Sequence, residues 1–307
     1  MGRLPLAALG GAVAGVLLLA ACQSAASRTE AAPTERPDTT RTRFDEAMAF
    51  ARAEALHERP IGAIMTALGE RFLGAPYLAG TLDEPDEERL VVRFDGFDCV
   101  TFVETMLALA RGVARQDYRY ATFAAHLEEQ RYRDGRMNGY CSRLHYFSEW
   151  IANNHARGVV RDVTAELGGV PLVDTLDFMS AHRDAYPRFA TNDSLWACVR
   201  DMEVRLRGAP IYYVPQDRIR AVYDRLQTGD IVGLATRIDG LDIAHTGLVY
   251  KQGDRVGLLH ASLSGTVKVS PDLQRYVQNI DHQIGIVVAR PRAPGAAASL
   301  QPRTPTQ

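Results

Sequence analysis

The pattern of apolar residues along this chain of 307 residues changes near residue 229. Before that point they recur at helical spacing, and after it short β-rich runs are separated by glycine and aspartate. Helices that precede strands, rather than alternating with them, are typical of an α+β fold. The first pattern predicts helices over residues 44–57, 60–72, 97–113, 122–129, 148–157, 174–182 and 215–226. The second predicts a small antiparallel sheet or half-open barrel with strands over residues 229–234, 243–250, 256–262, 266–270 and 285–290.

Cys99 stands where a polar turn runs directly into the apolar pattern of the third predicted helix. Asp98 is a typical capping residue, so the sulfur is placed at the start of that helix. The partial positive charge and unpaired N–H groups at a helix N-terminus lower the pKa of a thiol, and the thiolate is the nucleophilic form. Cys99 is therefore the candidate nucleophile, and a small buried hydrophobic residue is the alternative.

Two histidines, His245 and His260, lie in consecutive strand-like runs that predict a β-hairpin. If the loop is residues 252–253 or 251–254, the two histidines are directly opposed, which is the arrangement we expect. If the loop is residues 253–254, they are diagonal but still share one face of the sheet, whereas a loop of three residues would place them on opposite faces.

A cysteine at a helix start beside two histidines suits acyl transfer. Cys99 would attack a carbonyl group, His245 would hold the ion pair and protonate the leaving amine, and His260 would orient His245. Backbone N–H groups at the cysteine turn are candidates for the oxyanion hole. Two alternatives stay open: Asn279 or Asp242 orients His245, or the chain is a non-catalytic glycan-binding protein in which His245 does not approach Cys99.

Four segments, Gly74-Ala75-Pro76-Tyr77, Gly96-Phe97-Asp98-Cys99, His245-Thr246-Gly247 and Leu259-His260-Ala261-Ser262, resemble the signatures of the NlpC-type papain-like cell-wall cysteine peptidases. Further segments at residues 132–135, 142–147, 162–164 and 240–243 resemble the N-acetylmuramoyl-L-alanine amidase-like branch of that superfamily. The resemblance extends over residues 44–291.

This resemblance implies a papain-like core, in which the cysteine-bearing helix packs on a small antiparallel sheet, with a large mainly helical insertion over residues 114–215. It also implies hydrolysis of the amide between N-acetylmuramic acid and L-alanine in peptidoglycan fragments, with a preference for 1,6-anhydro-muropeptides. Cys99, His245 and His260 take the triad positions, and Tyr77 takes that of the active-site tyrosine. An endopeptidase that cuts the stem peptide has the same triad chemistry and stays open as an alternative.

Candidate substrate-binding residues lie in the insertion. Arg143 suits a carboxylate, and His145 stands beside it, with Tyr140, Tyr146 and Trp150 close in sequence. Aromatic faces suit sugar rings. Aromatic residues at helical spacing fit a hydrophobic core equally well, so both interpretations stay open.

The N-terminus has the features of a secretion signal, since Arg3 precedes an apolar stretch over residues 4–19. Leu19-Ala20-Ala21-Cys22 resembles the bacterial lipoprotein cleavage box, which implies a signal peptide over residues 1–21 and lipidation of Cys22. Glutamine after that cysteine favours the periplasmic face of the outer membrane. An uncleaved membrane anchor is the alternative.

Residues 22–43 and 292–307 are polar, and they predict a flexible tether and tail around a catalytic domain at residues 44–291. The net charge of −2 gives no basic stripe for nucleic acid and no polybasic patch for a membrane. Membrane attachment would therefore come from the lipid. The oligomeric state is not predicted.

Two further cysteines, Cys141 and Cys198, lie within the insertion. An oxidising periplasm would permit a disulfide between them, and two independent buried thiols are the alternative. The sequence contains neither His-Glu-x-x-His nor Cys-x-x-Cys, so we expect no metal and no other cofactor.

Overall fold

A computed structural model describes residues 39–85, 87–172, 175–208 and 211–295. The predictions for Cys22 and for the signal over residues 1–21 lie outside these residues. The described α-helices are α1 (Thr39–Ala53), α2 (Ile61–Glu70), α3 (Cys99–Ala114), α4 (Tyr120–Arg131), α5 (Phe147–Ala156), α6 (Phe178–Ala181), α7 (Pro187–Ala190), α8 (Asp193–Leu206) and α9 (Leu273–Gln278). The strands are β1 (Val160–Asp162), β2 (Val170–Leu172), β3 (Ile211–Pro215), β4 (Ile231–Thr236), β5 (Ile243–Gln252), β6 (Arg255–Ala261), β7 (Val267–Ser270) and β8 (Gln283–Pro291).

The central helix α3 begins at Cys99 because Asp98 caps it. The Asp98 carboxylate accepts the Thr101 N–H at 2.7 Å, and the Thr101 hydroxyl accepts the Asp98 N–H at 3.0 Å. This reciprocal capping box satisfies two backbone donors that have no partner within the helix. Every residue from Thr101 to Val113 is buried. The predicted capping role of Asp98 is confirmed, and Cys99 is held at the first position of a buried helix.

The strands pair antiparallel in the order β2-β3-β8-β4-β5-β6-β7, and β1 also pairs with β8. The five predicted strands correspond to β4 through β8. The expected mainly helical insertion needs correction, because its strands β1 and β3 both pair with β8. Pairing between segments far apart in sequence leaves no local pattern that would have revealed this.

Apolar side chains cover both faces of the sheet, with alternate residues pointing to opposite faces. On one face, Leu248 and Leu259 join the core cluster that contains Phe102 of α3. On the other face, Val249 and Leu258 join a second cluster that contains residues of α9. The sheet therefore lies between the cysteine-bearing helix and α9.

The helix predicted over residues 215–226 is wrong. Pro215 ends β3, and only Ile219–Val222 form a single turn of 3-10 helix. The helical spacing of Ile219, Val222 and Leu226 instead reflects their shared burial in the second cluster. A helix was also predicted over residues 174–182, and of the described part, residues 175–182, only α6 is α-helical.

Two predicted boundaries also move. Helix α1 begins at Thr39, so residues 39–43, which were assigned to the tether, are helical. Arg292, which was assigned to the tail, donates its N–H to the Val159 carbonyl at 3.0 Å. None of the helices in the described ranges is long and apolar enough to cross a membrane.

Cys141 and Cys198 form a disulfide, with Cα atoms 6.2 Å apart. Of the two alternatives left by the sequence, the bonded one is found. The disulfide joins the 3-10 turn Tyr140–Ser142 to α8 beside a third apolar cluster. Tyr140, Tyr146 and Trp150 are 3%, 2% and 1% exposed, so these aromatic residues are core residues.

Candidate active site

The segment that carries Tyr77 lies against the cysteine turn. The Leu78 N–H donates to the Phe97 carbonyl and the Phe97 N–H donates to the Pro76 carbonyl, each at 3.0 Å. A Cβ atom at Gly96 would lie 2.7 Å from the Pro76 oxygen, so this close approach requires glycine. These contacts place Tyr77 beside the residues that lead into α3.

Strand β5 lies against the start of α3. The Thr246 hydroxyl donates to the Cys99 carbonyl at 2.8 Å, and Thr246 also directs hydrogen bonds at the cysteine sulfur. Cys99 is partly exposed, and it is a free thiol. Because Thr246 follows His245 directly, these contacts bring the strand of the first histidine to the candidate nucleophile.

His245 and His260 are joined by a hydrogen bond of 2.7 Å between Nε2 of the former and Nδ1 of the latter. Strand β5 pairs with β6 so that Gln252 faces Arg255, which makes Gly253-Asp254 the loop. The expected directly opposed pair is therefore wrong, and the diagonal arrangement on one face is found. The loop bends at Gly253, whose φ of 57° is in the left-handed region.

Gly247 leaves room for this diagonal contact. A Cβ atom at this position would lie 2.9 Å from Cβ of His260 and 2.8 Å from Cδ1 of Leu258. Real Cβ atoms do not approach so closely without displacing a neighbour. The glycine in His245-Thr246-Gly247 is therefore part of the geometry of the histidine pair.

Two further side chains surround the histidines. Nε2 of His260 lies 3.0 Å from the Ser270 hydroxyl, and the Tyr276 ring centroid lies 4.8 Å from that of His260. His245 is 4% exposed and His260 is fully buried. Nδ1 of His245 is buried and has no hydrogen-bond partner among the described residues. The contacts thus occupy three of the four ring nitrogens and leave one open.

Burial controls the protonation of the site. Burial and the nearby Asp98 charge raise the pKa of Cys99 from 9.0 to about 11, although hydrogen bonds from Thr246 lower it in part. Burial lowers the pKa of His245 to about 4. Burial, His245 and the Lys268 charge lower the pKa of His260 to about 3. At pH 7 the site therefore holds a thiol and two neutral imidazoles.

The expected lowering of the thiol pKa is wrong in direction. The helix N-terminus favours a thiolate, but loss of water around the sulfur and the Asp98 carboxylate outweigh it. A neutral His245 with an open Nδ1 is nevertheless in the correct protonation state to accept a proton. The chemistry that fits this site is general-base activation of the thiol, rather than a resting ion pair.

The alternative partners of His245 have other roles. The buried Asp242 carboxylate accepts the Ser148 N–H at 2.8 Å and the Ile243 N–H at 2.7 Å. Asn279 is the C-cap of α9. The hydrogen-bond partner of Nε2 of His245 is Nδ1 of His260, so the geometry favours His260 as the orienting residue.

Arg143 and His145 lie in a different network. Arg143 donates to the Leu82 carbonyl at 2.7 Å, pairs with Asp83, and lies over the Tyr140 ring. Nε2 of His145 lies 3.0 Å from the Tyr140 carbonyl, and burial lowers the pKa of His145 to about 3. The contacts of both side chains are thus with Leu82, Asp83 and Tyr140 and not with Thr246 or the two histidines of the site.

Thr246, Ser270 and Tyr276 were not predicted as site residues. Thr246 adjoins His245 in the motif, so its proximity to the site had a sequence signal. Ser270 reaches His260 only through the pairing of β6 with β7, and Tyr276 does so through the packing of α9. Neither contact has a local signature. Among the described residues, no cluster of three or more His, Cys, Asp or Glu side chains forms a metal site.

Two solved structures are similar to this chain in both sequence and fold. A crystal structure described as an N-acetylmuramoyl-L-alanine amidase from Bacteroides uniformis is 32% identical with a TM-score of 0.72, and the match covers 76% of this chain and 99% of that one. A putative xylanase from Bacteroides fragilis is 35% identical with a TM-score of 0.68, over 72% and 98% of the two chains.

A Legionella pneumophila protein is 19% identical with a TM-score of 0.60, over 83% of this chain and 98% of that one, and it shows similarity of fold alone. A comparison with curated protein sequences finds no match. The family described as AmiA-like, N-acetylmuramoyl-L-alanine amidase-like, matches residues 67–286, which include Cys99, His245 and His260. The chain therefore belongs to the N-acetylmuramoyl-L-alanine amidase-like family.

Proposed function

We propose that this protein is a cysteine-dependent amidase that hydrolyses the bond between N-acetylmuramic acid and L-alanine in peptidoglycan fragments. One observation carries the proposal. His260 holds Nε2 of His245 at 2.7 Å, beside the start of the cysteine-bearing helix, and Nδ1 of His245 is left open. Family membership supports the choice of amide bond.

The site suits acyl transfer better than glycoside hydrolysis. Most glycoside hydrolases place two carboxyl groups on either side of the scissile bond. Here the reactive groups are a thiol and two imidazoles. The nearest carboxylate in sequence, Asp98, accepts hydrogen bonds from Thr101 as the cap of α3.

In the first half of the reaction, the Cys99 sulfur attacks the lactyl carbonyl carbon as its proton moves to Nδ1 of His245. The imidazolium that forms keeps its Nε2–H on Nδ1 of His260. It then gives the Nδ1 proton to the alanine nitrogen, the C–N bond breaks, and the peptide leaves with a free amino group. A thioester joins the muramyl group to Cys99.

In the second half, water attacks the thioester carbon and His245 takes a water proton at Nδ1. The C–S bond breaks, the sulfur recovers that proton, and the muramic acid leaves with a free carboxyl group. His245 acts first as base and then as acid in each half. A neutral resting imidazole is the state that this cycle requires.

The carbonyl oxygen gains negative charge in both halves. The first N–H groups of a helix have no intrahelical partner, so those of α3 are candidate donors to this oxygen. Tyr77 lies beside the cysteine turn, and burial and the neighbouring Cys99 raise the pKa of its hydroxyl. That hydroxyl therefore stays protonated and is a second candidate donor.

The finer substrate preference rests on the sequence motifs. Their resemblance to the N-acetylmuramoyl-L-alanine amidase-like branch of the NlpC-type superfamily supports 1,6-anhydro-muropeptides as substrates. Arg143 and His145 already have protein partners. In this proposal Arg143 holds Leu82, Asp83 and Glu88, and His145 holds Tyr140, instead of binding the substrate directly.

The proposed location is the periplasmic face of the outer membrane, with the protein held by a lipid on Cys22. The lipoprotein-like sequence that ends at Cys22 supports this location, and the Cys141–Cys198 disulfide is typical of an oxidising compartment. Labelling of cells with a radioactive fatty acid should mark the wild-type protein and not Cys22→Ala. Equal labelling would contradict the lipid anchor.

The direct test of the activity uses purified 1,6-anhydro-muropeptides, with products identified by mass spectrometry. We expect a free peptide that begins with L-alanine and the released anhydro-disaccharide. Cys99→Ala should form neither product, because Cys99 is the only free thiol among the residues that the structure describes.

Two results would reject the proposal in different ways. Cleavage inside the stem peptide, abolished by Cys99→Ala, would keep the thiol chemistry and reject the bond. Equal product formation by the wild type and Cys99→Ala would reject the role of the cysteine.

A further inference from the structure

We infer that Ser270 is a positioning residue that sets the tautomer of both histidines through a hydrogen bond to His260, an inference that rests on the proposed function. The Ser270 hydroxyl lies 3.0 Å from Nε2 of His260, and Nδ1 of His260 lies 2.7 Å from Nε2 of His245. Ser270 is 8% exposed. The three side chains form a buried line that ends at the open Nδ1 of His245.

The two imidazoles are coupled because one proton lies between them. If Nε2 of His245 carries that proton, Nδ1 of His245 is free to accept the thiol proton, and His260 carries its own proton on Nε2. If Nδ1 of His260 carries it instead, His245 is protonated on Nδ1 and is unable to act as a base. The productive state therefore has a proton on Nε2 of both rings.

Ser270 favours the productive state because it gives the Nε2–H of His260 an acceptor. Without the serine oxygen, that N–H would be buried and unpaired, which is costly in a protein interior. In the other tautomer the serine hydroxyl would instead donate to the lone pair at the same place. A buried lone pair without a partner costs less than a buried N–H without one, so removal of the serine penalises the productive tautomer more. Loss of Ser270 thus shifts both rings toward the unproductive state without removing a group that touches the substrate.

The surroundings of His260 keep the ring neutral, so the choice is between tautomers rather than between charge states. His245 faces it from β5, Tyr276 packs on it from α9, and Lys268 lies opposite it on β7. Lys268 donates to the Ser264 hydroxyl at 2.7 Å and brings a positive charge to this side. That charge opposes a proton on both nitrogens of His260.

The test combines kinetics with a spectroscopic measurement on the full chain purified in detergent. Histidine labelled with ¹⁵N reports which ring nitrogen carries the proton, independently of activity. We expect both His245 and His260 of the wild type to be protonated on Nε2. In Ser270→Ala, both signals should shift toward Nδ1 protonation, and kcat on anhydro-muropeptide should fall by about tenfold with KM nearly unchanged.

Two variants complete the design. Ser270→Thr keeps the hydroxyl and should restore the Nε2 tautomers and most of kcat. Ser180→Ala removes a hydroxyl that bonds the Asp177 carbonyl in α6, and it should change neither measurement.

A wild-type spectrum with His245 protonated on Nδ1 would overturn the inference, and so would a Ser270→Ala protein with wild-type kcat and tautomers. If Ser270→Ala does not fold, the wild-type spectrum and Ser270→Thr decide. If the wild type cleaves no muropeptide but shows the expected tautomers and their dependence on Ser270, the proposed function fails and the positioning role stands.

Discussion

Replacement of His260 by alanine tests whether this residue, rather than Asn279 or Asp242, orients the catalytic base. The His260 ring accepts the hydrogen bond from Nε2 of His245 at 2.7 Å. Alanine would leave that N–H buried and without an acceptor. We expect kcat to fall, because the bond is strongest when His245 is charged in the transition state.

The size of the loss follows from that one bond. A hydrogen bond to a charged group contributes about 1.5–3 kcal/mol. Since about 1.4 kcal/mol changes a rate tenfold, kcat should fall by roughly 10- to 150-fold. His260 does not reach the substrate in this mechanism, so KM should change by less than about threefold.

The assay follows release of the peptide by mass spectrometry at saturating anhydro-muropeptide, with melting temperatures as a check on folding. His182→Ala is the matched control, because His182 is exposed and bonds the Phe178 carbonyl in α6. A folded His260→Ala protein that retains more than half of the wild-type kcat would refute this reasoning. The orienting role would then pass to another residue.

Three further predictions concern the thiol, the disulfide and a glycine. Because the Cys99 pKa is raised to about 11, only about one thiol in ten thousand is ionised at pH 7. Iodoacetamide should therefore alkylate Cys99 about tenfold faster for each pH unit up to about 10, and a rate plateau between pH 5 and 8 would indicate an ion pair instead. Replacement of Cys141 and Cys198 by serine should lower the free energy of unfolding by about 4 kcal/mol, because the disulfide closes a loop of 57 residues. A denaturant titration measures this loss, and a loss of less than about 1 kcal/mol would contradict the prediction. Gly247→Ala should lower both kcat and stability, the latter by about 1–3 kcal/mol, since the new Cβ meets His260; unchanged values for both would show that the pair tolerates displacement.

Local pattern was sufficient to place Cys99, the candidate nucleophile, at a helix start and to put the histidines on one face. The start of α3 depends on Asp98 and Thr101, which are neighbours in sequence, so the cap could be predicted. The shared face of His245 and His260 depends on the period of two along strands. Loops at residues 252–253, 251–254 and 253–254 all preserve that face, and this is why the prediction survived an error in register.

Features that depend on distant contacts escaped prediction. Three loops fit the hairpin sequence, and the register that selects Gly253-Asp254 is seen only in the structure. Strands β1 and β3 join β8 across 70 or more residues of chain. Ser270 contacts His260 only because β7 pairs with β6, and the sequence of neither strand predicts this pairing.

The predicted direction of the Cys99 pKa was wrong for a related reason. A helix N-terminus is a local property and favours a thiolate, whereas desolvation depends on everything that packs around the sulfur. Thr246 contacts Cys99 from β5, and Tyr77 and Asp98 lie close enough to interact with it electrostatically. A sequence motif therefore predicts the interaction of the thiolate with the helix N-terminus, but it does not predict how much water the sulfur loses on folding.

Cys99, His245 and His260 are all neutral at pH 7, and this has a consequence for the proposed catalysis. Interactions accelerate a reaction only if they are stronger in the transition state than in the ground state. In the proposed mechanism, the charges on His245 and on the carbonyl oxygen appear only when the thiol proton moves to His245 and the sulfur attacks the carbonyl carbon. The bond from His245 to His260 and the N–H groups at the start of α3 then interact with charges that were absent before. Burial raises the pKa of Cys99 but need not impair catalysis. It keeps the ground state neutral, so these interactions stabilise the transition state of thiol attack more than the ground state.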